Sequence, residues 1–210
     1  MPLDYWPEMA LQRDALQVDF NGNHFKGYMV APADGAGPKP MVIVIHNYQG
    51  LKFFDVDVAE YFARIGYVGL AIDLYGETVP EDERVFPSDP ELVPGFQKKC
   101  FEGMVAMDHD HQAFRDLMLL WLETGLKHPL VESSVAPAAI GYCFGGMAVL
   151  EAVRGGLPFG GVVSLHGLLQ TGEDPNAARN GAVRPPLKTC ANHYNTNTVV
   201  VIENGANDQL

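Results

Sequence analysis

The segment Gly141-Tyr142-Cys143-Phe144-Gly145-Gly146 has the residue types and the spacing of a nucleophile turn. It follows an apolar run, Val135 to Ile140, that reads as a strand, and it leads into Gly145 to Val153, which reads as a helix. Gly-x-Cys-x-Gly is the cysteine form of the elbow on which acyl-transfer nucleophiles sit. Glycines two residues either side of Cys143 remove Cβ atoms that would meet the adjoining strand and helix. The cysteine backbone can then take a strained conformation that turns its sulfur outward. The helix N-terminus faces that sulfur, and its positive end and unpaired N–H groups favour a thiolate. The chemistry on offer is nucleophilic attack on a carbonyl. Two plainer readings compete with it. A free cysteine is most often a small buried hydrophobe, and a glycine-rich turn between strand and helix also builds dinucleotide sites. This one is not GxGxxG, and it comes late in the chain.

A turn of this kind needs a parallel sheet behind it, and the rest of the sequence supplies one. Ala15 to Phe20 and Phe25 to Ala31 read as two strands joined by Asn21-Gly22-Asn23, whose Asn-Gly pair suits a hairpin. Met41 to Ile45 is apolar at successive positions, as in a strand buried on both faces. Asp55 to Ile65 carries Val58, Phe62 and Ile65 at helical spacing, stops at Gly66, and leads into the strand Val68 to Ile72. Tyr75 to Pro94 is rich in Pro, Asp and Glu and predicts a long loop bordering the site. Ala113, Leu117, Leu120 and Trp121 predict an amphipathic helix from about His109 to Lys127. Gly161 to Leu165 and Val199 to Ile202 read as the last two strands. Alternating β and α segments predict an α/β fold, a mostly parallel sheet with helices on both faces, in a single domain over residues 1–210.

The chain has 210 residues, 47% hydrophobic and 19% charged, with a formal net charge of −12. That composition suits one globular core and gives no basic footprint for nucleic acid or an anionic membrane. No apolar run approaches the roughly 20 residues of a membrane span, and the N-terminal residues lack the basic and apolar regions of a signal peptide. Cys100, Cys143 and Cys190 are odd in number, widely spaced and without CxxC. A reducing cytoplasm fits, whereas a disulfide framework or a zinc site does not. His109 and His111, with Asp108 and Asp110, have the types of a metal cluster. Their short spacing at a helix start points instead to a capped, solvated turn. No metal, cofactor, nucleic acid or membrane partner is expected, and a monomer or homodimer is.

The elbow, with Val135-Ala136-Pro137-Ala138-Ala139-Ile140 before it, resembles the nucleophile region of the dienelactone hydrolase family, which belongs to the α/β-hydrolase superfamily. Three stretches agree in order and spacing: Val44-Ile45-His46-Asn47-Tyr48-Gln49-Gly50, Gly66 to Gly76, and Gly161 to Gly167. The resemblance spans about Leu16 to Leu210. It implies a cysteine hydrolase acting on an ester or lactone of a small molecule, carboxymethylenebutenolidase-like. On this fold one oxyanion donor is the N–H after the nucleophile, that of Phe144. The resemblance makes the backbone of Tyr48 the second donor. It aligns Asn47 with the position where founding members carry a glutamate that contacts the resting cysteine, so an acid-gated activation is not carried over. It offers Arg84, on the long loop, for a substrate carboxylate, and Asp208, after the strand Val199 to Ile202, as the acid.

The base is harder to place. The family order is nucleophile, acid, histidine, and this sequence has no histidine after Asp208. His46 and His166 sit at strand ends near the expected site, but the resemblance gives neither a triad role. The fold is accordingly expected to lack its last strand and helix, through truncation or because a partner supplies them. The alternative function is a non-catalytic hydrolase-fold protein that binds or scaffolds. A redox-sensing cysteine would need a resolving thiol, and neither Cys100 nor Cys190 lies near Cys143 in sequence.

Overall fold

The computed structural model describes residues 9–169 and 187–205. A hairpin opens the fold: β1 (Leu11–Phe20) and β2 (Asn23–Pro32) pair antiparallel around Asn21 and Gly22, both at positive φ. It is longer at its open end than the sequence predicts, because Leu11 to Asp14 pair with Met29 to Pro32. The hairpin joins a seven-stranded sheet of order β1-β2-β4-β3-β5-β6-β7. The other strands are β3 (Met41–Ile45), β4 (Val68–Ile72), β5 (Ala138–Tyr142), β6 (Gly161–Leu165) and β7 (Val199–Glu203). From β4 to β7 all neighbours are parallel.

Every residue of β3 and β4 is buried, as their continuous apolar runs require. The helix α1 (Phe53–Arg64) covers one face, packing Ala59 and Ala63 with Val30, Val44 and Ala71. Its backbone at Ala59 lies so close to Gly69 that no Cβ fits there. The other face carries α2 (Val93–Asp108), α3 (His111–Leu126) and α4 (Phe144–Arg154), whose Phe96, Trp121 and Met147 share a core with Ile43, Ile45 and Leu70. Trp121 is fully buried and donates its indole N–H to Asp73 O at 2.9 Å, so its polar end is satisfied too. Buried Arg115 on α3 meets buried Glu151 on α4 at 2.6 Å and ties the two helices together.

Two elements differ from expectation. β5 begins at Ala138, because Pro137 has no N–H to give a ladder and Val135 is exposed. Residues 95–108, to which the sequence reading gives no element, are helical. The proline at the start of α2 occupies the first turn, where its missing N–H costs nothing. The segment before it is a loop with single helical turns at Gly76–Thr78, Glu81–Glu83 and Pro90–Leu92. At the far edge β7 pairs with β6, and all five of its residues are exposed, Val199 by 64% and Ile202 by 49%.

Candidate active site

Parallel strands deliver their C-terminal ends to one edge, and there β3, β4, β5 and β6 bring four loops together. Cys143 lies between β5 and α4 at φ 54° and ψ −110°, in the left-handed region that a residue with a side chain rarely adopts. Its N–H donates to Leu165 O at 3.0 Å, one step beyond the Tyr142 and Leu165 pair of the β5–β6 ladder. Its carbonyl accepts from Met147 N–H at 3.1 Å, which closes the first turn of α4. The flanking glycines are required by close approach. A Cβ on Gly145 would stand 2.7 Å from His46 O, and one on Gly146 would stand 2.7 Å from Ser164 Oγ and from Gly167 Cα. The elbow therefore seats directly on the loop after β3.

Phe144 is the first residue of α4, so its N–H has no intrahelical acceptor. Its side chain is fully buried and stacks on Phe114 (centroids 5.7 Å apart) and on His46 (5.6 Å), which anchors the start of the helix. The loop after β3 is a tight turn in which Gly50 N–H donates to Asn47 O at 3.2 Å and Gln49 N–H donates to Asn47 Oδ1 at 2.9 Å. Asn47 thus spends its side-chain oxygen on the turn itself. Half-buried Tyr48 accepts at its carbonyl from the Tyr75 hydroxyl at 2.9 Å. Among the described residues none accepts from the Tyr48 N–H. Burial, with smaller contributions from Cys100 and Cys143, pushes the Tyr75 hydroxyl well above its ordinary range, so it stays a donor. Tyr75 therefore links the loop after β3 to the surroundings of Cys143.

His46 is fully buried, and burial lowers it to about 4 against the opposing pull of Asp73. It is neutral at physiological pH. Nε2 accepts from Leu74 N–H at 3.1 Å, so the proton is on Nδ1, which donates to Asn47 O at 2.6 Å. Both ring nitrogens are engaged, which leaves no basic site for a substrate.

Arg84 does not lie open to a substrate carboxylate. It is buried, donates from Nη2 to Asp73 Oδ2 at 2.8 Å and from Nε to Val79 O at 2.8 Å, and packs on the turn so closely that a Cβ on Gly50 would be 2.7 Å from its Cδ. Asp73 in turn accepts from the N–H groups of Tyr75 and Gly76. The guanidinium is held by a buried carboxylate, whose desolvation demands a partner. A separate cavity of about 370 Å³, with Lys26, Tyr28, Leu51, Glu81 and Arg84 in its wall, includes neither Cys143 nor Tyr48, and Lys26 and Glu81 there pair at 2.8 Å.

The acid candidate Asp208 lies outside the described residues. The strand before it is fixed beside β6, since His166 N–H donates to Glu203 O at 2.7 Å and Asn204 Nδ2 donates to Gly167 O at 3.2 Å. His166 is exposed at the end of β6, with φ 54°. At the junction of α2 and α3, Asp110 caps α3 by accepting from Ala113 N–H at 3.1 Å, and His109 pairs with Ala106 O, as a capped turn would, but Asp108 and His111 are buried, so the turn is not the solvated one expected. Among the described residues no group of three or more His, Cys, Asp or Glu could hold a metal. The functional groups that sequence reasoning missed are the Tyr75 hydroxyl and Asp73. Their one signal was the stretch Ile72-Asp73-Leu74-Tyr75-Gly76, whose contacts across the sheet edge the sequence does not reveal.

The chain is similar to known proteins in sequence and in fold. "Putative carboxymethylenebutenolidase" of Escherichia coli (strain K12) is 30% identical over 108 residues, which are 51% of this chain and 39% of that protein. The chain therefore spans about two-fifths of the length of the curated relatives it matches. The solved structure "m3DLH" superposes with a TM-score of 0.68 at 27% identity, covering 96% of this chain and 71% of that one. A dienelactone hydrolase-like promiscuous phosphotriesterase, P91, from metagenomic libraries shares the fold with a TM-score of 0.66 at 24% identity, covering 95% and 71%. The sequence model of the dienelactone hydrolase family matches residues 25–210, from the second hairpin strand through the elbow to the last residue, and by that match the chain belongs to the dienelactone hydrolase family, with the α/β-hydrolase fold.

Proposed function

We propose that the chain is a cysteine hydrolase of small-molecule esters or lactones. The observation that carries this reading is the backbone of Cys143, at φ 54° on the N-terminus of α4, with the Phe144 and Tyr48 amides on the same edge. The Cys143 thiolate attacks the carbonyl carbon, a C–S bond forms, and the displaced electron pair rests on an oxygen held by the two N–H groups. Collapse breaks the C–O bond, and the alkoxide takes up the proton that the Cys143 thiol gave to the general base, a histidine in the family order, which Asp208 orients. Water, deprotonated by the same imidazole, then attacks the thioester and releases the acid and the thiolate. A small molecule is the fitting partner, and the cytoplasm the fitting location for a reactive thiol.

A second reading is a hydrolase fold that keeps its elbow but binds without catalysing, since both ring nitrogens of His46, the histidine packed on Phe144, are engaged. Rapid mixing with an activated phenyl ester separates the two. The hydrolase reading expects a stoichiometric burst of phenolate and an acyl group on Cys143, both lost in Cys143→Ala. A binding module gives no burst, and a burst that survives Cys143→Ala removes the cysteine from the reaction.

A further inference from the structure

We infer that His46 is a positioning residue for the oxyanion hole: it holds the Asn47–Tyr48 peptide so that the Tyr48 N–H is turned to the reacting carbonyl. The inference rests on the reading of Cys143 as an acylated nucleophile. Asn47 C=O and Tyr48 N–H belong to one planar trans peptide and point in opposite directions. Whatever fixes the carbonyl therefore aims the amide. His46 Nδ1–H fixes it, donating at 2.6 Å, while Gly50 N–H supplies a second bond at 3.2 Å. The imidazole itself cannot rotate, since Nε2 accepts from Leu74 N–H at 3.1 Å and its ring packs against both Tyr75 (4.7 Å) and Phe144 (5.6 Å). Phe144 carries the other oxyanion donor, so one ring touches both halves of the hole.

The direction of the hydrogen bonds depends on the proton being on Nδ1. Burial keeps the ring neutral, with Asp73 3.6 Å from Nε2 and the charges of Arg84 and Lys52 also facing it. A neutral ring with one donor and one acceptor completes both bonds, and a glutamine side chain offers the same pair. Hydrogen bonding to Asn47 O also polarises the peptide and strengthens the Tyr48 N–H as a donor.

The test compares two reactions of the same sulfur. Acylation by an activated phenyl ester builds an oxyanion, whereas alkylation by iodoacetamide does not. In His46→Leu the acylation rate should fall about 10- to 100-fold, a large part of what losing an oxyanion donor costs, while alkylation of Cys143 stays within about 2-fold. His46→Gln should restore most of the acylation rate. Equal losses in both reactions, or no loss in acylation, would overturn the positioning role. Acylation that persists in Cys143→Ala would instead overturn the nucleophile reading beneath it. Should His46→Leu not fold, two-bond proton–nitrogen NMR correlations of the wild-type imidazole decide: an Nδ1–H tautomer at neutral pH supports the role, and an Nε2–H tautomer refutes it.

Discussion

Arg84 Nη2 lies 2.8 Å from Asp73 Oδ2, with both side chains buried, and Asp73 caps the turn from which Tyr75 reaches Tyr48. Through Tyr75 the pair supports the loop that carries Tyr48. Removing one partner of a buried ion pair leaves an uncompensated charge and costs about 3 to 5 kcal/mol. Arg84→Met should therefore lower the urea midpoint strongly and slow acylation by neutral and carboxylate-bearing phenyl esters by the same factor. A selective loss for the carboxylate-bearing ester at unchanged stability would return Arg84 to the substrate.

Gly145 is expected to tolerate no side chain, for packing reasons. A methyl there meets the backbone of Ile45 and, at 2.7 Å, His46 O. Neither can move without opening the β3–α4 seam. Gly145→Ala should cost more than about 3 kcal/mol, beyond the ordinary range of point mutations, whereas Gly95→Ala, where a Cβ meets nothing within 4 Å, should be near neutral. Thermal denaturation of both variants checks the contrast.

Acid should weaken the fold through His46. Its folded-state value of about 4 lies below the ordinary 6.5, so between those limits the unfolded chain binds the proton and the folded one does not. The stability from His46 is fully present above pH 6.5 and is lost as pH falls toward about 4, on the order of 3 kcal/mol. Asp55 acts oppositely: burial raises it to about 6 from 3.8, so its contribution is present below 3.8 and is lost as pH rises through about 6. Urea midpoints of wild type and His46→Gln between pH 7 and pH 4 separate the two, since the His46 slope should vanish in the variant and the Asp55 slope remain.

Much of the fold was legible in the sequence wherever one local rule decides. β3, β4 and β6 have the expected limits, because continuous or alternating apolar runs bounded by glycine and proline leave little choice. α2 escaped because its buried face, Phe96, Cys100, Gly103, Met104, Val105 and Asp108, includes a glycine and a carboxylate that interrupt the apolar spacing. Within the site, Cys143 and Phe144 follow from the elbow's spacing, and the Tyr48 loop stands beside them because β3 and β5 are neighbours. Arg84 lies on the expected loop, but only the folded structure brings Asp73 to it, 11 residues away along irregular chain. His46 was legible as a loop residue, but its hydrogen-bonding direction depends on Leu74, a contact between the loops that follow β3 and β4.

The central claim is that the elbow makes Cys143 a nucleophile, and the three cysteines of the chain provide their own controls. Cys100 is buried, which pushes its thiol up to about 11, and Cys190 is half-buried in a loop. The measurement is the iodoacetamide alkylation rate of each cysteine, resolved by peptide mass, from about pH 5.5 to 8.5, the upper limit being the ordinary thiol value. The account predicts that at about pH 6.5 Cys143 reacts at least about tenfold faster than Cys190, with a midpoint below the ordinary thiol range, and that its modification abolishes the acylation burst. Alkylation of Cys143 no faster than that of Cys190, or a burst that survives modification, would contradict it.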